Sequence, residues 1–305
     1  MTCTIKPEEI KRVKGLGFLN NKGTNLFNGR VVTVNGKITA EQVRTIADAA
    51  EKYGNGDVEF TTRLSVEVRG IPFEDIEAFR SHIAKAGLET GGTGPLVRPV
   101  VSCKGTTCQY GLYDTFALSE EIHKRFYKGY HTVKLPHKFK IAVGGCPNNC
   151  VKPDLNDLGI IGQKLSTVNT ELCKACKKCK IEAACPMGAA KVTGEAVTRD
   201  ASICNHCGRC VGKCPFDAIE EGETVYKIYV GGRWGKKAAQ GRPLSKLFAA
   251  EEVFDIVESA ILLFREQGKA GERFADTIAR IGLEEVERQL ISGELLQRKE
   301  AILAD

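Results

Sequence analysis

The chain has 305 residues, 42% of them hydrophobic and 27% charged. That is a globular composition with room for one or two domains, which excludes a peptide or a disordered chain. Lysine and arginine outnumber the acids by 44 to 38, a net charge of +6 with no long basic run, so small anions or an anionic cofactor fit better than nucleic acid, and no nucleic-acid partner is expected.

Taken in order, residues 31–34 read as a strand and 39–53 as a helix opened by Thr39, with Gln42 three residues on as its capping pair. Residues 57–69 read as one strand: Val58, Phe60, Leu64, Val66 and Val68 alternate with polar positions, so Arg63, Glu67 and Arg69 project from the opposite face. A helix follows over 73–86. In LPHKFKIAV the same alternation turns Phe139, Ile141 and Val143 inward and puts Lys138 and Lys140 on a shared face, on a strand that runs straight into GGCPNNC. VYKIYVGGRWG is a returning strand and glycine-rich turn, and two helices close the chain. In the first, Val253, Ile256, Val257, Ala260, Ile261 and Phe264 make an amphipathic core face rather than a membrane anchor. No apolar run reaches the roughly 20 residues of a membrane span, and MTCTIKPEEIKRVKGLG lacks the pattern of a secretory signal, so a cytoplasmic, thiol-reducing location is expected.

In that setting the 13 cysteines are read as metal ligands rather than disulfides. Twelve fall into groups of four, the ligand number of a thiolate-held cubane cluster: Cys103, Cys108, Cys146 and Cys150; Cys173, Cys176, Cys179 and Cys185; Cys204, Cys207, Cys210 and Cys214. CNHCGRCVGKCP fits C-x2-C-x2-C-x3-C-P, in which three thiolates wrap one cluster and the fourth reaches a neighbouring one. CKACKKCKIEAACP repeats it with a longer last spacer. Zinc knuckles are the alternative, but zinc needs neither the proline nor the duplicated array. Cys3 is left over, a free thiol near a mobile end.

The two ferredoxin-type runs resemble a two-cluster bacterial ferredoxin. That resemblance assigns Cys173, Cys176, Cys179 and Cys214 to one [4Fe-4S] cluster and Cys204, Cys207, Cys210 and Cys185 to another. GCPNNC followed by VKPDLN and DLGI, together with TTR and KFK, resembles the sirohaem-dependent nitrite and sulfite reductases, and within them the anaerobic, three-subunit kind. The resemblance implies an α+β reductase fold with an inserted 2[4Fe-4S] ferredoxin domain: residues 1–95 as its ferredoxin-like half, 96–167 as the sirohaem and cluster part, 168–222 as the insertion and 223–305 as the closing part. It further implies three [4Fe-4S] clusters and sirohaem, with Cys103, Cys108, Cys146 and Cys150 holding the third cluster and Cys150 also the axial sirohaem ligand. Arg63, Lys138, Lys140 and Arg30 become the anion-binding and proton-delivering residues, and Arg69 a partner for a sirohaem carboxylate. His131 and His137 flank the lysine strand within reach of the macrocycle's carboxylates, His206 sits inside a cluster loop, and His82 and His123 lie on helices with no catalytic role expected.

The implied reaction is six-electron reduction of sulfite to sulfide, with nitrite to ammonia as the alternative and a non-catalytic multi-cluster electron carrier as the rival of another class. No Gly-rich dinucleotide fingerprint follows a strand. Electrons are therefore expected from a donor protein or from flavin- or NADH-binding subunits of a hetero-oligomer.

Overall fold

The computed structural model describes residues 4–304, so Cys3 lies outside the described residues. They form two compact units: residues 4–102, 117–142 and 258–304, and residues 103–116 with 143–257.

In the first unit, β1 (Phe18–Asn20), β2 (Leu26–Val32), β3 (Val58–Phe60) and β4 (Val66–Pro72) make an antiparallel sheet in the order β1-β2-β4-β3, and β5 (Glu89–Thr90) adds to β2. Helices α1 (Pro7–Gly15), α2 (Ala40–Tyr53) and α3 (Ile76–Ala84) bury Val13, Ile46, Ala49, Ile76, Phe79 and Ile83 with Phe27, Val31, Val66, Val68 and Ile71 of the sheet. The capping box is present: the Thr39 hydroxyl accepts the Gln42 amide proton and the Gln42 side chain takes the Thr39 amide proton. β6 (Val101–Ser102) follows later in the chain.

Three sequence expectations need correction here. The strand over 57–69 is a hairpin, β3 and β4 joined by a turn at Thr61–Ser65 in which Leu64 takes a left-handed φ of 62°. Phe60 is 78% exposed, and an exposed apolar side chain keeps the alternation running through a turn it does not mark. Glu67 is buried, not solvated. The carboxyl end holds more than two helices: Glu252–Gln267, then Phe274–Ile281, Leu283–Ile291, Glu294–Gln297 and Lys299–Ala304. The expected inward positions of the first, from Val253 to Phe264, are all buried. Phe139, Phe264 and Phe274 pack as an aromatic trio with centroids 5.2–6.0 Å apart.

In the second unit β7 (Ile141–Gly144, which enters from the first), β8 (Leu158–Lys164), β13 (Thr224–Val230) and β14 (Arg242–Pro243) run in the order β14-β13-β8-β7. β8 and β13 pair antiparallel from Leu158↔Val230 to Lys164↔Thr224. The intervening segment therefore leaves and returns at one point of the sheet, which makes it an insertion. β9 (Thr167–Val168) and β12 (Ile219–Glu220) close its neck, and β10 (Ala190–Thr193) with β11 (Ala196–Arg199) form its hairpin. Among the described residues no helix is long and apolar enough to cross a membrane.

Candidate active site

The first unit holds a cavity of about 250 Å³ lined by Arg30, Thr61, Thr62, Arg63, Ser65, Gly92, Arg98, Pro99, Lys138 and Lys140, five cations and no acid. Each is placed by local chemistry. Arg30 on β2 stands opposite Glu67 on β4 and donates to Glu67 Oε1 from Nε at 2.8 Å and Nη2 at 2.5 Å, and from Nη1 to the Gly92 carbonyl at 3.2 Å. This two-nitrogen contact fixes the guanidinium plane as well as its charge. Arg63 rides on the hairpin turn, where the Thr61 hydroxyl accepts the amide protons of Arg63 and Ser65, and its Nη2 donates to Pro99 O at 2.9 Å.

Lys138 and Lys140 do not lie on a regular strand: β7 begins at Ile141. The segment before it is extended and joined to 96–98 by a parallel bridge at Val97↔Phe139, with the Arg98 amide donating to Phe139 O at 2.8 Å. Phe139 is fully buried, so the alternation still sends both lysines into the cavity. The bridge also delivers Arg98, which the sequence reading missed. Arg98 donates to the carbonyls of Gly92 and Gly94, and its neighbour Gly92 has φ 68° with Pro99 Cγ 3.0 Å from where a Cβ would stand. A larger residue at 92 would intrude on this strap.

The field of this cluster is visible at His137. Burial first, and then the charges of Arg273, Lys138, Arg98 and Lys140, hold its imidazole below the ordinary histidine range. Its Nδ1 accepts the Lys138 amide proton at 2.7 Å. Arg69 is not brought to the cavity; it is 46% exposed and ion-paired with Glu59 at 3.4 Å and Asp57 at 3.7 Å. His131 is exposed, bonded to Lys128 O, His82 packs its ring on Tyr53, and His123 is buried.

The second unit holds all twelve described cysteines, none in a disulfide. Around Cys103, the Gly145 amide donates to its Sγ at 3.2 Å, the Thr115 hydroxyl to its carbonyl at 2.8 Å, and Tyr113 to Gly144 O at 3.0 Å. A Cβ on Gly111 would stand 1.8 Å from Gly105 O, so this loop folds only with glycine there. Burial pushes the Cys146 thiol up, the Asn148 amide pulls it down, and Cys103, Cys150 and Cys108 push it up again; the four thiols are electrostatic neighbours. Cys150 is the exposed one, and Asn149 before it takes φ 56°, held by its side chain on Asp154 at 2.8 Å.

Amide donors also serve the insertion. Val197 donates to Cys173 Sγ at 3.3 Å. Burial alone would raise the Cys185 thiol, but the amides of Ala190, Met187, Ala189 and Gly188 bring it below the ordinary thiol range. Cys207 is raised by burial, lowered by the Arg209 amide and raised again by Cys210, Cys185 and Cys204, so Cys185 is an electrostatic neighbour of Cys207. Among the described residues no three of His, Cys, Asp or Glu converge on a single ion; a cubane asks instead for one sulfur on each of four irons. Half-buried thiols, amide donors at sulfur and loops without room for side chains suit that ligand, and a cavity whose charged lining residues are all cations suits an oxyanion or the carboxylate arm of a macrocycle.

A family model described as the nitrite and sulphite reductase 4Fe-4S domain matches residues 93–299, and one described as the nitrite/sulfite reductase ferredoxin-like half domain matches residues 20–86. The chain is 35% identical to the coenzyme F420-dependent sulfite reductase of Methanocaldococcus jannaschii over 84% of its own length, and spans 41% of that protein. It is 31% identical to a subunit of the anaerobic sulfite reductase of Salmonella typhimurium, over 76% of this chain and 71% of that one. Its fold is similar to that of dissimilatory sulfite reductase I, with a TM-score of 0.70 at 22% identity over 87% of this chain and 69% of the other.

Proposed function

The chain belongs to the nitrite and sulphite reductase family, a family of oxidoreductases, and we propose from that premise that it reduces sulfite to sulfide at a sirohaem, with electrons arriving through the inserted ferredoxin segment. The observation that carries the reading is the acid-free cavity bearing Arg30, Arg63, Arg98, Lys138 and Lys140. A multi-cluster electron carrier has no use for five cations around one small cavity.

The proposed roles follow from placement. Sirohaem, when bound, would supply the redox chemistry for reducing an oxyanion. The exposed Cys150 thiolate would hold the sirohaem iron and, with Cys103, Cys108 and Cys146, a [4Fe-4S] cluster. Arg30, locked by Glu67, and Arg63, locked by Pro99 O, offer fixed charge to carboxylates or substrate oxygens. Lys138 and Lys140 carry protons that can be handed to oxygen as S–O bonds break. Arg69 reaches a macrocycle carboxylate only by exchanging its exposed ion pairs, each worth about 0–1 kcal/mol. The insertion holds two further clusters, on Cys173, Cys176, Cys179 and Cys214 and on Cys204, Cys207, Cys210 and Cys185. A donor protein or flavin- or NADH-binding subunits feed them.

The test is an absorption spectrum of anaerobically purified protein, with iron and sulfide counts, before and after sulfite is added to the reduced form. A tetrapyrrole spectrum that moves with sulfite supports the reading; iron and sulfide with no tetrapyrrole, after expression with sirohaem available, sinks it. Comparison of kcat/KM for sulfite and nitrite then decides the substrate.

A further inference from the structure

The two ferredoxin-type loops differ in their surroundings. Around the thiols Cys173, Cys176, Cys179 and Cys214 lie Lys174, Lys177, Lys178, Lys180 and Lys213, each adjacent in sequence to one of the four, and all five are exposed. None has an ion pair among the described residues. The acids of the same segments are Glu171, Glu182 and Asp217, and Glu182 accepts the Val192 amide proton. The twin loop from Cys204 to Cys210 carries one cation, Arg209, stacked 4.4 Å over the Tyr110 ring.

The lysine-rich loop also exposes apolar surface. Leu172 and Phe216 are 43% and 45% exposed. The segments bearing them are joined where the Asn169 amide donates to Ala218 O at 3.0 Å and where β9 pairs with β12. Cys173, Cys179 and Cys214 pack on one small core with Ile181 and Val197. An apolar centre beside half-buried thiols proposed to hold a cluster, rimmed by unneutralised charge of one sign, is the anatomy of a transient electron-transfer contact.

We propose that this lysine-ringed end of the insertion is where electrons enter, and that its partner is a small acidic one-electron carrier protein; the inference rests on the reading that the insertion holds clusters. One electron leaves the partner's reduced cofactor, which is oxidised, and enters the cluster on Cys173, Cys176, Cys179 and Cys214, which is reduced; no bond forms or breaks. The lysines steer the encounter and hold it briefly, so the rate falls with salt.

The test uses the full chain with its clusters and a reduced acidic ferredoxin as probe, following cluster bleaching by anaerobic stopped flow. Between about 20 and 300 mM salt the second-order rate constant falls about tenfold or more. At low salt the Lys177→Glu/Lys178→Glu variant loses about tenfold, whereas Lys6→Glu/Lys11→Glu, a reversal on and beside α1, changes it little. Lys177→Gln/Lys178→Gln serves if the reversal lowers the iron content, with a smaller loss of the same sign. A salt-insensitive rate, or equal losses in both reversed pairs, overturns the proposal. Reduced methyl viologen bypasses docking: if it drives sulfite or nitrite reduction in the wild type while the ferredoxin rate ignores salt and charge, the docking surface alone is wrong. If acidic ferredoxin bleaches the clusters in the expected manner but viologen drives no turnover, the functional reading falls and the docking surface stands.

Discussion

The sheet of the first unit and the insertion of the second solve the same problem, holding charged or reactive groups still, with different materials. The first packs fourteen buried hydrophobic residues, from Val13 to Leu88, beneath its strands and helices, and its cations are fixed by a framework that stands without them. The core cluster of the insertion has four, Ile181, Ala190, Val197 and Ile219, and the groups packed around these include Cys173, Cys179, Cys185, Cys210 and Cys214. There the cysteines, half-buried, make up much of what packs on the core. On the proposed cluster assignment, a segment this short in hydrophobic burial folds on its metal rather than before it, so the first unit's sheet is held by packing and the insertion by coordination.

Removing the iron breaks that comparison most directly. Anaerobic chelation should cost the amides of residues 167–220 their protection, by about a hundredfold or more in hydrogen exchange, while those of β2, β4 and α2 keep theirs. Equal loss in both regions would mean that the insertion does not depend on its clusters. A narrower version is Cys150→Ser, which should remove the tetrapyrrole absorption, and about four irons if the cluster leaves with it, without touching the insertion's own clusters. Intact sirohaem coupling would show that the axial ligand is another residue.

On the packed side, Phe79→Ala should cost about 3–5 kcal/mol in urea unfolding. The Phe79 ring meets Phe18 at 5.9 Å and Tyr53 at 6.4 Å, both nearly edge-on, and nothing in that core is replaced by a ligand. The catalytic proposal calls for a smaller effect. Lys138→Ala or Lys140→Ala should lower kcat/KM for sulfite by about a hundredfold, close to 2.7 kcal/mol, with iron and sirohaem contents unchanged. Unaltered kinetics in both would remove the lysines from the mechanism.

What could be read in the sequence divides along the same line. The cysteine spacings, the capping box at Thr39 and the strand at VYKIYV are local or periodic signals, and the structure has them. The hairpin inside 57–69 was hidden because Phe60 and Leu64 are apolar yet exposed, and periodicity registers hydrophobicity, not burial. Arg98 was hidden for another reason: its aim comes from the bridge between its neighbour Val97 and Phe139, 42 positions apart in the sequence, and from carbonyls on a glycine strap. The amides that serve Cys185 and Cys173 have no sequence signature, since every residue but proline carries one.

The finest test of the cationic cavity is its effect on His137. Because burial and then the charges of Arg273, Lys138, Arg98 and Lys140 disfavour its protonated form, the folded protein takes up that proton at lower pH than the unfolded chain does. As pH falls below the ordinary value of 6.5, the unfolded state gains a proton first and stability declines; above it the group contributes no pH dependence. Lys138→Ala removes one of the repelling charges but leaves the burial, so the His137 pKa should rise by less than about one unit, read from its ring resonances by NMR. The acid-side loss of stability should shrink in step. A His137 titration that ignores both Lys138→Ala and Lys140→Ala would mean that the lysine charges are directed away from the imidazole, and that the field in this cavity comes from its arginines.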